Sequence, residues 1–293
     1  MKKYLYVFLC PILMGLTACS TAPKGIANMR DLGAYSISDS LHIRKGLLLR
    51  SANLADATDE ELQSLAALPV TKIIDFRTEP EKTGQTDRLV AGAEYVALPV
   101  DVSRDTTAQA MAEEEQQRSS GKKFDIRKMI VMVAFNEQAQ QIARELYDIL
   151  LFNPECQAQY KQFFREVLAT ESGAVLYHCS QGKDRTGVTS ALLLAALRAD
   201  RATIIRDFDA TNAIYEADVR KYSRRVRFFG GKDEEVAVVK AFIGVNTDNF
   251  IRSLDRIEEQ YGSIENYLKG SIGLTDEDIR TLRKRYVRTK ATE

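Results

Sequence analysis

Four cysteines and two histidines restrict the chemistry open to this chain of 293 residues. His42 and His178 alone cannot assemble a histidine-rich catalytic metal centre. Cys10, Cys19, Cys156 and Cys179 are too scattered for a zinc ribbon or a disulfide framework. No metal and no cofactor is expected, so chemistry must come from carboxylates, cations, hydroxyls or a thiol. One run offers all of them: His178-Cys179-Ser180-Gln181-Gly182-Lys183-Asp184-Arg185-Thr186-Gly187. It joins an apolar strand to an apolar helix with a glycine at its centre. Such a loop aims successive backbone N–H groups and a helix N-terminus at one point, which makes an anion cradle. A cysteine at its base is favoured as thiolate by the helix dipole and by Arg185. The nucleophile then lies where a phosphate would bind. Arg185 can grip two non-bridging oxygens with its planar fork and offset the charge that gathers around phosphorus. Lys183 adds a second cation, Thr186 is placed to hydrogen-bond the sulfur, and His178 to hold the entrance of the loop. Residues 180–185 are the candidate phosphate-binding set: Ser180, Gln181, Gly182, Lys183, Asp184 and Arg185. The bland alternative is a buried cysteine at a strand end before a helix-opening loop.

The elements that must position this loop read as an α/β domain. Gly46–Arg50 is a short apolar run. Thr58 and Glu61 form a capping box opening a helix with a Leu62, Leu65, Leu68 stripe, which Pro69 ends. Val70–Phe76 is β-branched and bounded by turn residues, hence a buried strand, and Ala93–Val100 reads as another. From Asp105 to Gly121 the chain is polar, with Glu113, Glu114 and Glu115 near the centre. Helical stretches follow over about Asp125–Leu151 and Pro154–Ala169, then the strand Ala174–His178 and the helix Thr186–Ala199. Everything beyond Arg201 reads as helical, including Asn249–Tyr261 and a Thr275-capped last helix ending near Tyr286. Strands interleaved with helices give an α/β class, and no internal repeat is visible.

Residues 1–18 read as an address: a basic head at Lys2 and Lys3, then an apolar run too short to favour a transmembrane helix, ending in small residues. The ending Leu16-Thr17-Ala18-Cys19 resembles the bacterial lipobox, which implies cleavage before Cys19 and acylation of that cysteine; ordinary signal cleavage is the alternative. Residues 19–27 then form a tether. The expected place is the bacterial cell envelope, lipid-anchored and either periplasmic or surface-exposed. Lys+Arg and Asp+Glu both number 41. That balance lacks the cationic surplus on which nucleic-acid binding depends.

The loop is similar to the active-site loop of the protein-tyrosine phosphatase superfamily. More narrowly it resembles a branch of bacterial tyrosine/serine phosphatases, some active on lipid phosphates, whose loop reads His-Cys-x-x-Gly-Lys-Asp-Arg-Thr-Gly. Asn28-Met29-Arg30-Asp31-Leu32-Gly33 resembles the branch's opening, with Ala34 in place of a second glycine. Ile74–Glu79 is similar to its Asp-Leu-Arg strand end, with Phe76 departing from leucine. Asp207, Phe208 and Asn212 resemble its segment after the loop helix, and Gly273-Leu274-Thr275 its last helix start. The resemblance covers residues 26–288. It implies a cysteine-phosphatase fold with a central sheet flanked by helices over 28–290, and a helical lid-like insertion over 102–170. Packing helices with a loose connector are the other reading of that insertion.

Membership would imply hydrolysis of phosphate monoesters through a phosphocysteine, with Cys179 as nucleophile and no metal. A general acid must protonate the leaving oxygen. Asp75 matches the Asp-Leu-Arg element and is the favoured candidate, a structural ion pair with Arg77 being the alternative. Asp184 lies inside the cradle, where a bound dianion favours a protonated carboxyl, or else orients Lys183 or Arg185 through a salt bridge. Asp101 follows a strand where many superfamily members carry an acid loop, although a surface-turn aspartate reads more simply. Lys221, Arg224, Arg225 and Arg227 could receive a second phosphate or a lipid headgroup, or form a solvated helix face. Cys156 could pair reversibly with Cys179 or remain a free buried thiol. The expected substrates are a phosphorylated protein, a phosphoinositide or an inositol phosphate. A non-catalytic phosphate-binding module and an arsenate reductase or sulfurtransferase-like thiol enzyme are the competing classes.

Overall fold

The computed structural model describes residues 26–38, 40–102 and 134–289. The expected leader, Cys19, most of the tether, the polar stretch after Val102 and the beginning of the helix read from Asp125 lie outside the described residues.

The chain runs through strands β1 (Arg30–Asp31), β2 (Leu41–Ile43) and β3 (Leu48–Ser51). Helix α1 (Asp59–Ala67) opens on the Thr58/Glu61 capping box, as its sequence predicts. Next come β4 (Val70–Asp75), the short α2 (Glu79–Lys82) and β5 (Glu94–Ala97). Helices α3 (Glu137–Phe152) and α4 (Pro154–Ala169) lead to β6 (Ala174–His178) and α5 (Asp184–Ala196). Helices α6 (Arg201–Phe228), α7 (Asp233–Ile243), α8 (Thr247–Tyr261), α9 (Ile264–Tyr267) and α10 (Asp276–Tyr286) follow, and β7 (Val287–Thr289) closes the described chain.

Five strands form one sheet in the order β1-β3-β6-β4-β5, with β1 antiparallel at its edge and the other pairs parallel. Every residue of β6 is buried, as the central strand of a parallel sheet covered on both faces must be. Register brings Ser51 of β3 and Asp75 of β4 beside His178 of β6. Three strands therefore finish on one edge. In open parallel sheets that carboxyl edge is where ligands bind, because loops there diverge from fixed strand ends.

The described residues fall into two compact units, one holding 26–38, 40–100, 147–211 and 247–289, the other 101–102, 134–146 and 212–246. Helix α4 belongs with the sheet, although the insertion was expected to extend to residue 170. Its Phe163 is fully buried against Phe76 and Tyr177, at ring separations of 5.7 and 5.1 Å. The other unit has its own apolar core, which includes Tyr215, Tyr222, Val226, Val236 and Phe242.

Three readings change. The chain beyond Arg201 is not wholly helical: β7 pairs antiparallel with β2, Leu41 opposite Thr289. Three-residue strands are too short to show alternation, so their pairing is set by tertiary contact. Strand β5 stops at Ala97, yet Leu98 and Val100 still donate to the carbonyls of Asp75 and Phe76, so the backbone stays tied to the end of β4. Helix α5 starts at Asp184 rather than Thr186, which places the loop's last residues inside its first turn. Among the described residues no helix is long and apolar enough to cross a membrane.

Candidate active site

The loop between β6 and α5 is held from outside by its carbonyls. Asn53 donates to the Ser180 carbonyl from its backbone N (3.3 Å) and Nδ2 (2.8 Å). Asn28 Nδ2 donates to the carbonyls of Gln181 (3.1 Å) and Gly182 (2.8 Å), and Arg50 Nη2 donates to that of Gly182 (2.7 Å). A trans peptide sets C=O and N–H in opposite directions. Fixing three consecutive carbonyls outward therefore turns the N–H groups of Gln181, Gly182 and Lys183 inward, toward one anion-sized space. Gly182 has φ of +63°, and a Cβ there would lie 2.3 Å from the Ser51 carbonyl oxygen, so only glycine fits.

The clamps on the loop are themselves anchored. Arg50 is fully buried on β3 and pairs with Asp207 of α6. Asp207 also accepts from Arg30 Nε (3.3 Å) and from the Tyr35 hydroxyl (3.0 Å). Burial and the neighbouring Asp207 push the Tyr35 hydroxyl up to about 12, so it remains a donor. The Asn28–Arg30 opening and Asp207, singled out by resemblance, thus serve one purpose, holding the back of the loop.

Cys179 is 3% exposed at the base of the cradle, a free thiol. Thr186 Oγ1 is buried without a hydrogen-bond partner among the described residues, which leaves it available to the sulfur. The Arg185 guanidinium is held by a residue that sequence reasoning missed. Its Nη1 and Nη2 donate to Glu81 Oε2 (2.8 Å) and Oε1 (2.5 Å), and Nη1 also reaches the carbonyls of Phe76 (3.1 Å) and Val100 (3.4 Å). Among the described residues nothing else takes its Nε–H or the second N–H of Nη2, which can serve a phosphoryl oxygen pair. Ser180 Oγ donates to Glu81 Oε1 at 2.9 Å, tying the start of the loop to the same carboxylate. Burial works to raise the Glu81 carboxyl, but the charge and hydrogen bonds of Arg185, with donors from Thr78 and Ser180, outweigh it and hold it at about 2. The available signal was the second capping box, Thr78 with Glu81, which fixes Glu81 in the first turn of α2.

The candidate acids separate by environment. Asp75 makes the ion pair that was the alternative to a catalytic role. Arg77 reaches its Oδ1 from the backbone N (2.9 Å) and Nε (3.0 Å), and its Oδ2 from Nε (3.1 Å) and Nη2 (2.9 Å). Arg77 Nη2 also binds Asp87 Oδ2 at 2.6 Å, and His178 Nε2 lies 3.3 Å from that oxygen. Burial raises the Asp87 carboxyl, but His178 and Arg77 outweigh it, leaving the group below its ordinary value. Asp75, Asp87 and His178 bring ligand-type atoms within 4.8 Å of one another. The guanidinium already binds both carboxylates, so the charge they would offer a metal ion is taken up. His178 is fully buried and its Nδ1 sits 3.3 Å from the Cys179 carbonyl, which makes it a support of the loop's base.

Asp184 stands at the first turn of α5, with Lys183 Nζ 2.7 Å from Oδ2 and the Tyr147 hydroxyl donating to Oδ1 at 3.0 Å. Asp101 is half-buried in the other unit. Cys156 is buried on α4 and is not joined to Cys179 by a disulfide. Of the basic cluster, Lys221, Arg224 and Arg227 are exposed and Arg225 half-buried, again in the other unit.

A buried thiol beneath inward amides, with a tethered guanidinium at its side, is the arrangement of the cysteine-dependent phosphatases: enzymes that cleave phosphate monoesters by transient bonding to sulfur. The chain belongs to the tyrosine phosphatase family, whose model matches residues 22–288. It is 29% identical over 242 residues to the tyrosine-protein phosphatase of Nostoc commune, covering 81% of this chain and 73% of that one. Over 264 residues it is 26% identical to a Cupriavidus necator protein assigned to the tyrosine-protein phosphatases, with 89% and 86% covered. Over 279 residues it is 24% identical to the triple specificity protein phosphatase PtpB of Mycobacterium tuberculosis, with 88% and 96% covered.

Proposed function

We propose that this phosphatase hydrolyses phosphotyrosine and phosphoserine in proteins outside the cytoplasm, with Cys179 as nucleophile and Asp184 as general acid. The outward fixing of three loop carbonyls supports this reading most directly, because it sets the donors before a phosphate arrives. The Cys179 thiolate attacks phosphorus opposite the leaving oxygen. As the S–P bond forms and the P–O bond breaks, Asp184 gives its proton to that oxygen. Water then attacks phosphorus, its proton passes to Asp184, and phosphate leaves the regenerated thiolate. Arg185 grips the equatorial oxygens throughout.

Asp184 is preferred to Asp75 because four contacts from Arg77 occupy both Asp75 oxygens. Lys183, the second cation of the loop, is 2% exposed and paired with Asp184, so its charge serves that carboxylate. Acylation at Cys19 would keep the enzyme at a membrane of the cell envelope.

Turnover of para-nitrophenyl phosphate is expected in the wild type and lost in Cys179→Ser; activity surviving that change defeats the nucleophile assignment. Nitrophenolate leaves without much help from an acid, whereas phenolate needs a proton. Asp184→Asn should therefore slow phenyl phosphate far more than para-nitrophenyl phosphate. The same leaving-group dependence in Asp75→Asn, and not in Asp184→Asn, would reverse the assignment. Incorporation of labelled palmitate in a bacterial host, absent from Cys19→Ala, tests the anchor.

A further inference from the structure

The distal half of α6 carries a feature that phosphate-ester chemistry leaves unused. From Arg220 to Lys232 the sequence holds six cations, Arg220, Lys221, Arg224, Arg225, Arg227 and Lys232, and no carboxylate. The helix ends on Phe228 and Phe229, 83% and 56% exposed, their rings edge to face at 5.4 Å. No other large apolar side chain among the described residues is as exposed as Phe228. Spacing of three, four and seven residues puts Lys221, Arg224 and Phe228 on one face.

This tip is built, not a loose connector. Gly230, at φ of +86°, donates to the Arg227 carbonyl (3.0 Å), and Gly231 donates to that of Val226 (2.9 Å). That pair of bonds is a Schellman ending. Gly231 lies so close to Val226 that a Cβ there would meet Val226 Cγ1 at 2.4 Å, and Val226 is fully buried in the core of its unit. The turn is fastened to the core on one side and presents the two rings on the other. Two of the cations pair with carboxylates, Arg220 with Glu216 at 3.1 Å and Arg227 with Asp233; Arg224 Nε donates to the Arg220 carbonyl (3.3 Å) and Lys221 Nζ lies 5.0 Å from the centre of the Tyr222 ring, contacts that leave both side chains exposed.

We propose that this tip docks on an anionic phospholipid bilayer, the two rings entering the boundary between headgroups and acyl chains while Lys221, Arg224 and Lys232 meet lipid phosphates. Two observations select this occupant. Cations placed around exposed rings complement a surface that is apolar beneath and anionic above. The lipobox-like Leu16-Thr17-Ala18-Cys19 would place acyl chains on Cys19 after cleavage of residues 1–18, so a bilayer is the surface within reach. The tip gives the chain a second attachment to that surface, and the inference is independent of which residues perform catalysis.

The chain contains no tryptophan, so Phe228→Trp introduces a single tryptophan, which can be excited selectively over the tyrosines. With the full chain carrying Cys19→Ser to prevent acylation, phosphatidylcholine–phosphatidylserine vesicles should move its emission to shorter wavelength. Brominated acyl chains should quench it. Phosphatidylcholine alone should do neither, and high salt should reverse the shift. Adding Lys221→Ala and Arg224→Ala should raise the lipid needed roughly thirty-fold, at about 1 kcal/mol per cation. Circular dichroism checks that the variants keep their helices. An unchanged spectrum with phosphatidylserine, an equal response to phosphatidylcholine alone, or a shift produced by soluble inositol hexakisphosphate without vesicles overturns the proposal. If Phe228→Trp does not fold, vesicle flotation of the Cys19→Ser chain against its Phe229→Ser derivative gives the same decision: equal flotation refutes docking by the tip.

Discussion

Replacing Glu81 by Gln keeps the shape of the side chain and removes the charge that holds Arg185. The carboxyl is held at about 2 against an ordinary 4.5, so the folded protein binds its carboxylate form more tightly than its acid form. That difference corresponds to about 3 kcal/mol. Because the folded-state value is the lower one, this stabilisation is complete above the unfolded-state value and is lost as pH falls through the folded-state value. In urea unfolding at neutral pH, Glu81→Gln should be less stable than wild type by about 3 kcal/mol, the Arg185 guanidinium being left buried without its counter-charge. The gap should narrow as pH drops from about 5 toward about 2, where the wild-type carboxyl is itself becoming protonated. Turnover of para-nitrophenyl phosphate should fall about 100-fold at neutral pH, since an untethered guanidinium no longer meets the transition state in place. A stability gap that stays constant across that pH range, or a variant with full turnover, refutes the role given to Glu81.

Asp207→Asn leaves Arg50 buried beside a neutral amide and should lower stability by about 3–5 kcal/mol, read as a shift in the urea midpoint. Tyr147→Phe removes the hydroxyl that donates to Asp184 while leaving the aromatic contacts with Phe208 and Phe250. It should lower kcat for phenyl phosphate about tenfold with little change in KM and affect para-nitrophenyl phosphate less; equal effects on the two substrates would make Tyr147 a packing residue only. Gly182→Ala should abolish turnover and also vanadate binding measured by calorimetry, because its Cβ would drive the loop away from Ser51; retained vanadate binding would show that the cradle tolerates a side chain there.

Much of the core of the site was legible because its logic is local. Strand, glycine-centred loop and helix are contiguous from Ala174 to Ala196, and the burial of β6 follows from its unbroken apolar run. What holds that loop was not legible, because it arrives from distant positions. Arg50 is the last residue of a short apolar run, and nothing local says that Asp207 will meet it 157 residues later. Glu81 drew no notice, because its local signal is only that of the N3 partner of Thr78 in a capping box, and nothing local says that its carboxylate also faces a partner 104 residues away. The competition between Asp75 and Asp184 turned on Arg77, whose reach across two residues depends on the curl of the chain at the end of β4. Strands β2 and β7 escaped notice because segments of three residues carry no periodicity.

The three carbonyls held by Asn28, Arg50 and Asn53 have a consequence for inhibitors. A frame assembled in advance requires no rearrangement when an oxyanion enters, so little ordering entropy opposes binding. Vanadate, tungstate and sulfate should consequently rank by valence and bond geometry alone, and the empty and filled loops should superimpose.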